Sequence, residues 1–166
     1  MEYYGAIRVV TIKIMRTIKR EIVSALLISK DEKIFMGKKH PKKGGVYVDC
    51  WHIPGGGIDE GEDEETALIR EIQEEVGLDI STYSLILVDD LGSGSSNKIL
   101  ANGEEVVCNM KFNVYQVNIK DLNSDEIKIS LDDDLEEYCW VPVKDLGKYK
   151  LTPPSVSLFQ RLGYLK

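Results

Sequence analysis

Glu71, Glu74 and Glu75 stand at i, i+3 and i+4 within TALIREIQEEV, residues 66–76. Ala67, Leu68, Ile72 and Val76 recur there at close to the helical period, which predicts a helix, and Gly77 is its natural stop. On that helix the three carboxylates share one face. Like charges so placed repel unless solvent or a cation compensates them. Carboxylate oxygens are hard ligands that suit Mg2+, Mn2+ or Ca2+ rather than thiophilic metals. Mg2+ takes few carboxylates, keeps waters and draws its other ligands from substrate phosphates. The glycine run at 55–57 lets backbone approach a ligand, so a loop carbonyl there could complete a metal shell. Glu62 precedes Arg70 by eight residues. The Arg70 guanidinium can clamp carboxylates two at a time and is a plausible organiser of these acids.

The spacing is Gly56, five residues, Glu62, seven residues, then Arg-Glu-Ile-Gln-Glu-Glu-Val-Gly-Leu. It resembles the Nudix hydrolase signature at Gly56, Glu62, Arg70, Glu71, Ile72, Glu74, Glu75, Gly77 and Leu78. The approach Trp51-His52-Ile53-Pro54-Gly55 is similar to the family's own, and a weaker likeness runs over about residues 20–160. The resemblance implies the α/β class: an α/β/α sandwich with a mixed β-sheet and a loop-helix-loop at 56–78. It implies hydrolysis of a diphosphate bond in a nucleotide. By the same resemblance Glu71, Glu74, Glu75 and the Gly55 carbonyl hold Mg2+, for which Mn2+ can substitute. Glu71 is general base or mainly ligand, because family members use different bases. Arg70 and Glu62 keep the loop-helix-loop in shape. Some members place a further acid far from the motif, and Asp134, Glu136 and Glu137 are the candidates here. Lys38 and Lys39, at the end of a hairpin, are candidates to meet substrate phosphates; otherwise they are surface lysines.

Marks of the family's subclasses are missing downstream. The proline of sugar-nucleotide hydrolases and the tyrosine of dinucleoside polyphosphate hydrolases are both absent where Leu91-Gly92-Ser93-Gly94 stand. By elimination the sequence more resembles the family's small hydrolases of NTPs and dNTPs, oxidised ones included, which implies cleavage to a nucleoside monophosphate and pyrophosphate. Nucleotide sugars, ADP-ribose or dinucleoside polyphosphates are the enzymatic alternative. A nucleotide-sensing module without turnover is the alternative of another class, and the intact carboxylate set argues against it.

Composition sets the frame for this chemistry. The 166 residues suit one domain. Acids outnumber bases by 28 to 21, a net charge of −7, which disfavours nucleic-acid polymers and anionic membranes as partners. Cys50, Cys108 and Cys139 lack the pairing of a disulfide framework and read as reduced, mostly buried thiols. With no signal-peptide pattern and no long apolar run, a soluble, cytoplasmic monomer or homodimer is expected.

The elements that must position the acids read as follows. Strands are expected at 6–14, 21–29, 33–39, 46–53, 84–89, 105–118 and 137–143, the second and third forming a hairpin. Residues 38–45 and the Gly/Ser-rich 92–97 read as loops. A short helix follows Pro153-Pro154. Residues 1–20 read as an extension or strand on a single domain spanning 1–166. Trp51, Trp140, Tyr47 and Phe112 are read as packing residues. His52 is read as structural, with late general acid/base chemistry as its alternative.

Overall fold

A computed structural model describes residues 14–39, 42, 47, 49–132 and 134–166. The predicted strand at 6–14 falls almost wholly outside them. Seven strands form one mixed sheet: β1 (Arg16–Ser29), β2 (Lys33–Lys39), β3 (Trp51–His52), β4 (Gly55–Gly57), β5 (Ile86–Ile99), β6 (Glu105–Ile119) and β7 (Leu135–Pro142). Helix α1 (Glu64–Val76) lies between β4 and β5. A 3-10 turn (Val143–Lys148) and helix α2 (Pro153–Arg161) close the chain.

β1 is the spine. One edge pairs in parallel with β6 along its whole length, from Arg16↔Val106 to Ser29↔Ile119. The other edge forks. β2 holds it only at Ile28↔Ile34, whereas β4 takes Ile22, Ser24 and the residue between. In the fork the Ala25 N–H donates to the Pro54 carbonyl at 2.9 Å. The glycine loop is thus stitched into the middle of the sheet rather than left at its rim.

Strand alternation sends successive residues to opposite faces, and β1 uses both. Val23, Ala25 and Leu27 pack with Ala67, Leu68, Ile72 and Val76 of α1. Leu26 packs on the other face with Ile34, Met36, Val114, Leu158 and Phe159, the last two from α2. The result is the expected three-layer α/β/α arrangement. Asp63 caps α1 by accepting the Thr66 N–H at 2.8 Å, and Gly77 ends it at φ +71°. Thr152 caps α2, whose first turn carries the prolines.

Three expectations need correction. Residues 92–97 are not a loop: they lie within β5, paired antiparallel to β6. The strand expected at 21–29 starts earlier, at Arg16: residues 16–20 form the first third of β1, the strand rather than the extension of the two readings given for 1–20. The strand expected at 46–53 is described only at Trp51–His52, since Asp49 turns the chain at φ +58°. Cys50 and Cys108 are buried, Cys139 is partly so, and no disulfide joins the three.

Candidate active site

Gly55 shows why the loop needs glycine. Its φ is +147°, and a Cβ would lie 2.1 Å from the Val23 carbonyl oxygen and 2.6 Å from Ser24 Cα. Backbone cannot yield as a flexible side chain could. The next residue is fitted to a helix acid: a Cβ at Gly56 would sit 2.2–2.5 Å from the Glu71 carboxylate. The acid therefore lies directly against the loop backbone.

Arg70 gathers the acids. Its Nε and Nη2 donate to the two Glu62 oxygens at 2.9 and 2.7 Å. Nη1 donates to Glu71 at 2.8 Å and Glu74 at 3.2 Å, and Nη2 also reaches the Gly57 carbonyl at 3.0 Å. One guanidinium ties the loop, the pre-helix turn and the helix together, and these bonds raise its pKa further, Glu62 most. Glu62 serves this tie from the turn before α1, which begins two residues later.

The three helix carboxylates are not equivalent. Glu74 is half exposed at the solvent edge. Glu71 is largely covered. Glu75 is 3% exposed and accepts the Gly55 N–H at 2.9 Å. Burial pushes its carboxyl up to about 7, against the opposing pull of the Gly55 N–H and of Lys39. Lys39 pairs with Asp134 at 2.6 Å, and both influence Glu75. Lys38 is committed elsewhere: it bridges Glu137 at 2.8 Å and Asp49 at 3.2 Å and lies 5.1 Å over the Trp51 ring. Of the three distal acids, Asp134 is therefore nearest in influence to the helix acids. Glu137 is tied to Lys38, and Glu136 is exposed on β7.

A cavity of about 580 Å³ opens beside this loop on the α2 side. Gly55, Lys39 and His52 belong to its lining, and Met110, Phe112 and Leu158 supply apolar wall. Phe112 owes its place to Gly92 and Gly94. A Cβ at either would press to 3.2–3.3 Å on Phe112 atoms, so the ring lies along β5 where side chains would otherwise stand. Asp89, its side chain 4% exposed, takes two bonds from Arg161 at 2.7 and 2.8 Å, fixing the end of α2 to β5. Sequence reasoning missed this pair, whose members lie 72 residues apart. It also missed the latch at the start of α1, where Asn113 (3.0 Å) and the Tyr115 hydroxyl both donate to Glu64. The signal in hindsight is Asp89 at the end of the apolar run Leu85–Val88.

The NUDIX domain family model matches residues 18–162. The chain belongs to the Nudix family. It is 28% identical over 141 residues to an RNA pyrophosphohydrolase of Hydrogenovibrio crunogenus, covering 79% of this chain and 81% of that one. It is 28% identical over 124 residues to the nucleoside triphosphatase NudI of Escherichia coli, covering 73% and 82%. Its fold matches the crystal structure of a MutT protein from Methanosarcina mazei with a TM-score of 0.62 at 19% identity, over 92% and 96% of the chains. The protein is thus a Nudix hydrolase, an enzyme of pyrophosphate bonds in nucleotides.

Nudix enzymes work with divalent cations, and the residues here fit one. The donors are all oxygens. Arg70 supplies one positive charge to Glu62, Glu71 and Glu74, while Glu75 is buried and, among the described residues, has no charge partner within bonding distance. Among the described residues no three His, Cys, Asp or Glu groups form a ready-made cage. Also among the described residues, no helix is long and apolar enough to cross a membrane.

Proposed function

We propose that this Nudix hydrolase cleaves an NTP or dNTP, oxidised forms included, to a nucleoside monophosphate and pyrophosphate with Mg2+. The observation that carries the reading is the junction at Gly55. One residue belongs both to the acidic loop and to a cavity whose size and mixed lining suit a nucleoside. A nucleoside seated over Phe112 would run its phosphates out toward Lys39 and the Glu71–Glu75 face.

Glu71, Glu75 and the Gly55 carbonyl would hold the cation, with Glu74 at its outer edge. The cation would neutralise the diphosphate and acidify a water near neutral pH. Glu71, which lies against the loop backbone, would serve either as a ligand of that cation or as the base toward the attacking water. Arg70, clamped by Glu62, keeps Glu71 and the glycine loop in fixed relation. Lys39 is the better candidate for a substrate phosphate: it lines the cavity, and a phosphate could take the place of its partner Asp134. Lys38, already holding two carboxylates, is the poorer one.

The likeness to an RNA pyrophosphohydrolase favours a second reading, the same cut at the 5′-triphosphate of an RNA. The net charge of −7 weighs against a long polymer. The deciding experiment is a pyrophosphate-release assay with Mg2+ or Mn2+. Its panel holds NTPs, dNTPs, oxidised guanine nucleotides, a 5′-triphosphorylated RNA, nucleotide sugars and dinucleoside polyphosphates. Pyrophosphate from free triphosphates supports the proposal. Turnover of the RNA alone, or only of sugars and dinucleotides, overturns it. Tight nucleotide binding without turnover points to a sensor.

A further inference from the structure

The cavity lining contains a buried polar atom with no partner among the described residues. His52 Nδ1 lies 2.9 Å from the Ile53 carbonyl oxygen. A carbonyl oxygen only accepts, so Nδ1 carries the ring proton and Nε2 is a bare acceptor. Burial holds the imidazole below its ordinary pKa, assisted by Lys39, so the ring is neutral at pH 7. Nε2 is buried and has no partner among the described residues. Asn113 Oδ1 and Trp140 Nε1 share that condition, but only His52 belongs to the cavity. Native proteins seldom leave such an atom unmet, and a ligand is one of the few reasons to do so.

The ring is also held where it is. Its strand pairs with β2 through Gly37↔His52. Trp51 donates its N–H to the Lys150 carbonyl at 2.8 Å, and the Thr152 N–H returns to the Trp51 carbonyl at 3.0 Å. Three residues further on, Gly55 is locked by its contact with β1. The backbone on both sides of the ring is thus held, and the ring itself is tied through Nδ1 to Ile53.

Phosphate oxygens, being acceptors themselves, do not satisfy a neutral imidazole nitrogen. On a nucleotide the remaining donors are the N–H groups of the base and the O–H groups of the sugar. We propose that His52 Nε2 accepts a hydrogen bond from the nucleoside part of the substrate and so helps determine which nucleoside is taken. The inference rests on the nucleotide reading above.

The test is steady-state pyrophosphate release by wild type, His52→Leu and His52→Gln, with calorimetric binding of the nucleoside monophosphate product and a thermal melt of each protein. His52→Leu keeps a similar volume without an acceptor, and His52→Gln restores one. The expected result is a KM and product Kd raised about tenfold in His52→Leu. The fall in kcat is smaller, and His52→Gln recovers most of the loss. Analogues name the donor: the penalty disappears with 2′- or 3′-deoxynucleotides if it is the sugar, and with N-methylated bases if it is the base. Unchanged KM and Kd in a folded His52→Leu overturn the inference. So does an equal loss on inorganic tripolyphosphate, which has no nucleoside, or a loss confined to kcat. A wild type that turns over no nucleotide overturns the functional reading instead, which the first arm of the assay shows separately.

Discussion

Two arginines organise the two sides of this protein, and they do so in opposite ways. Arg161 meets one carboxylate, Asp89, in a two-bond pair whose acid is almost fully covered. Charge is balanced there, and the product is shape: α2 is fixed to β5 and one wall of the cavity is set. Arg70 meets Glu62, Glu71 and Glu74 at once, with Asp59 3.7 Å away. Charge is not balanced there, and Glu75 adds a buried acid beside it. The first is a fastening. The second is an acidic set held in position with negative charge to spare, the condition under which a divalent cation is bound rather than merely tolerated. If this distinction is right, substitutions on the α1 side register mainly in chemistry, and those on the α2 side in stability and substrate fit.

The largest effect is expected from Glu71→Gln. The amide keeps the shape against Gly56 and removes the charge. kcat should fall on the order of 10³-fold while the melting temperature changes little. Turnover near wild type would place the metal and the proton elsewhere. The arginines come next. Arg161→Met strands a buried Asp89 and should cost about 3 kcal/mol, a drop of roughly 6–12 °C in melting temperature. Arg70→Met relieves a more exposed cluster, so its cost in stability should be smaller, while kcat falls roughly 10–100-fold through loss of position. A reversal of the two, with Arg70→Met unfolding the protein and Arg161→Met stopping chemistry, would break the comparison.

The α1 side was far more legible in the sequence than the α2 side, and the reason is locality. Glu62, Arg70, Glu71 and Glu75 fall within a short stretch, so helical spacing alone brings most of them together. The stop at Gly77 was likewise local. What spacing missed there was inequality: Glu75 is buried and Glu74 is not, because β1 and the glycine loop cover one edge of the helix face. On the α2 side the signals are long-range. Asp89 and Arg161 have no sequence relation. The segment Gly92–Asn97 looks like a loop by composition, yet pairing with β6 makes it strand. Tertiary pairing overrides local propensity there, and the glycines that suggested flexibility instead make room for Phe112.

A third prediction sharpens the claim about spare charge. Glu75→Gln removes a carboxylate that burial makes costly, while the amide oxygen can still accept the Gly55 N–H. Without metal the variant should be more stable than wild type by about 1 kcal/mol, yet less active. Added Mg2+ should raise the melting temperature of wild type and leave that of the variant nearly unmoved. Equal stabilisation of both by Mg2+ would remove Glu75 from the cation's ligands.

The smallest effect should come from Gly94→Ala, and its smallness is informative. A Cβ there meets Phe112 Cε2 and Cζ at 3.3 Å and the Met110 methyl at 3.7 Å. Those are ends of side chains, not backbone, so the ring can yield by a few tenths of an ångström. Alanine also loses less conformational freedom on folding than glycine, by about 0.5–1 kcal/mol in a strand, which offsets the crowding. Stability should therefore stay within about 0.5 kcal/mol of wild type. The displaced ring, however, lines the cavity. KM for the nucleotide should rise about two- to threefold with kcat unaltered. A melting temperature that moves while KM does not would make Gly94 a requirement of strand packing alone and detach the Phe112 wall from substrate binding.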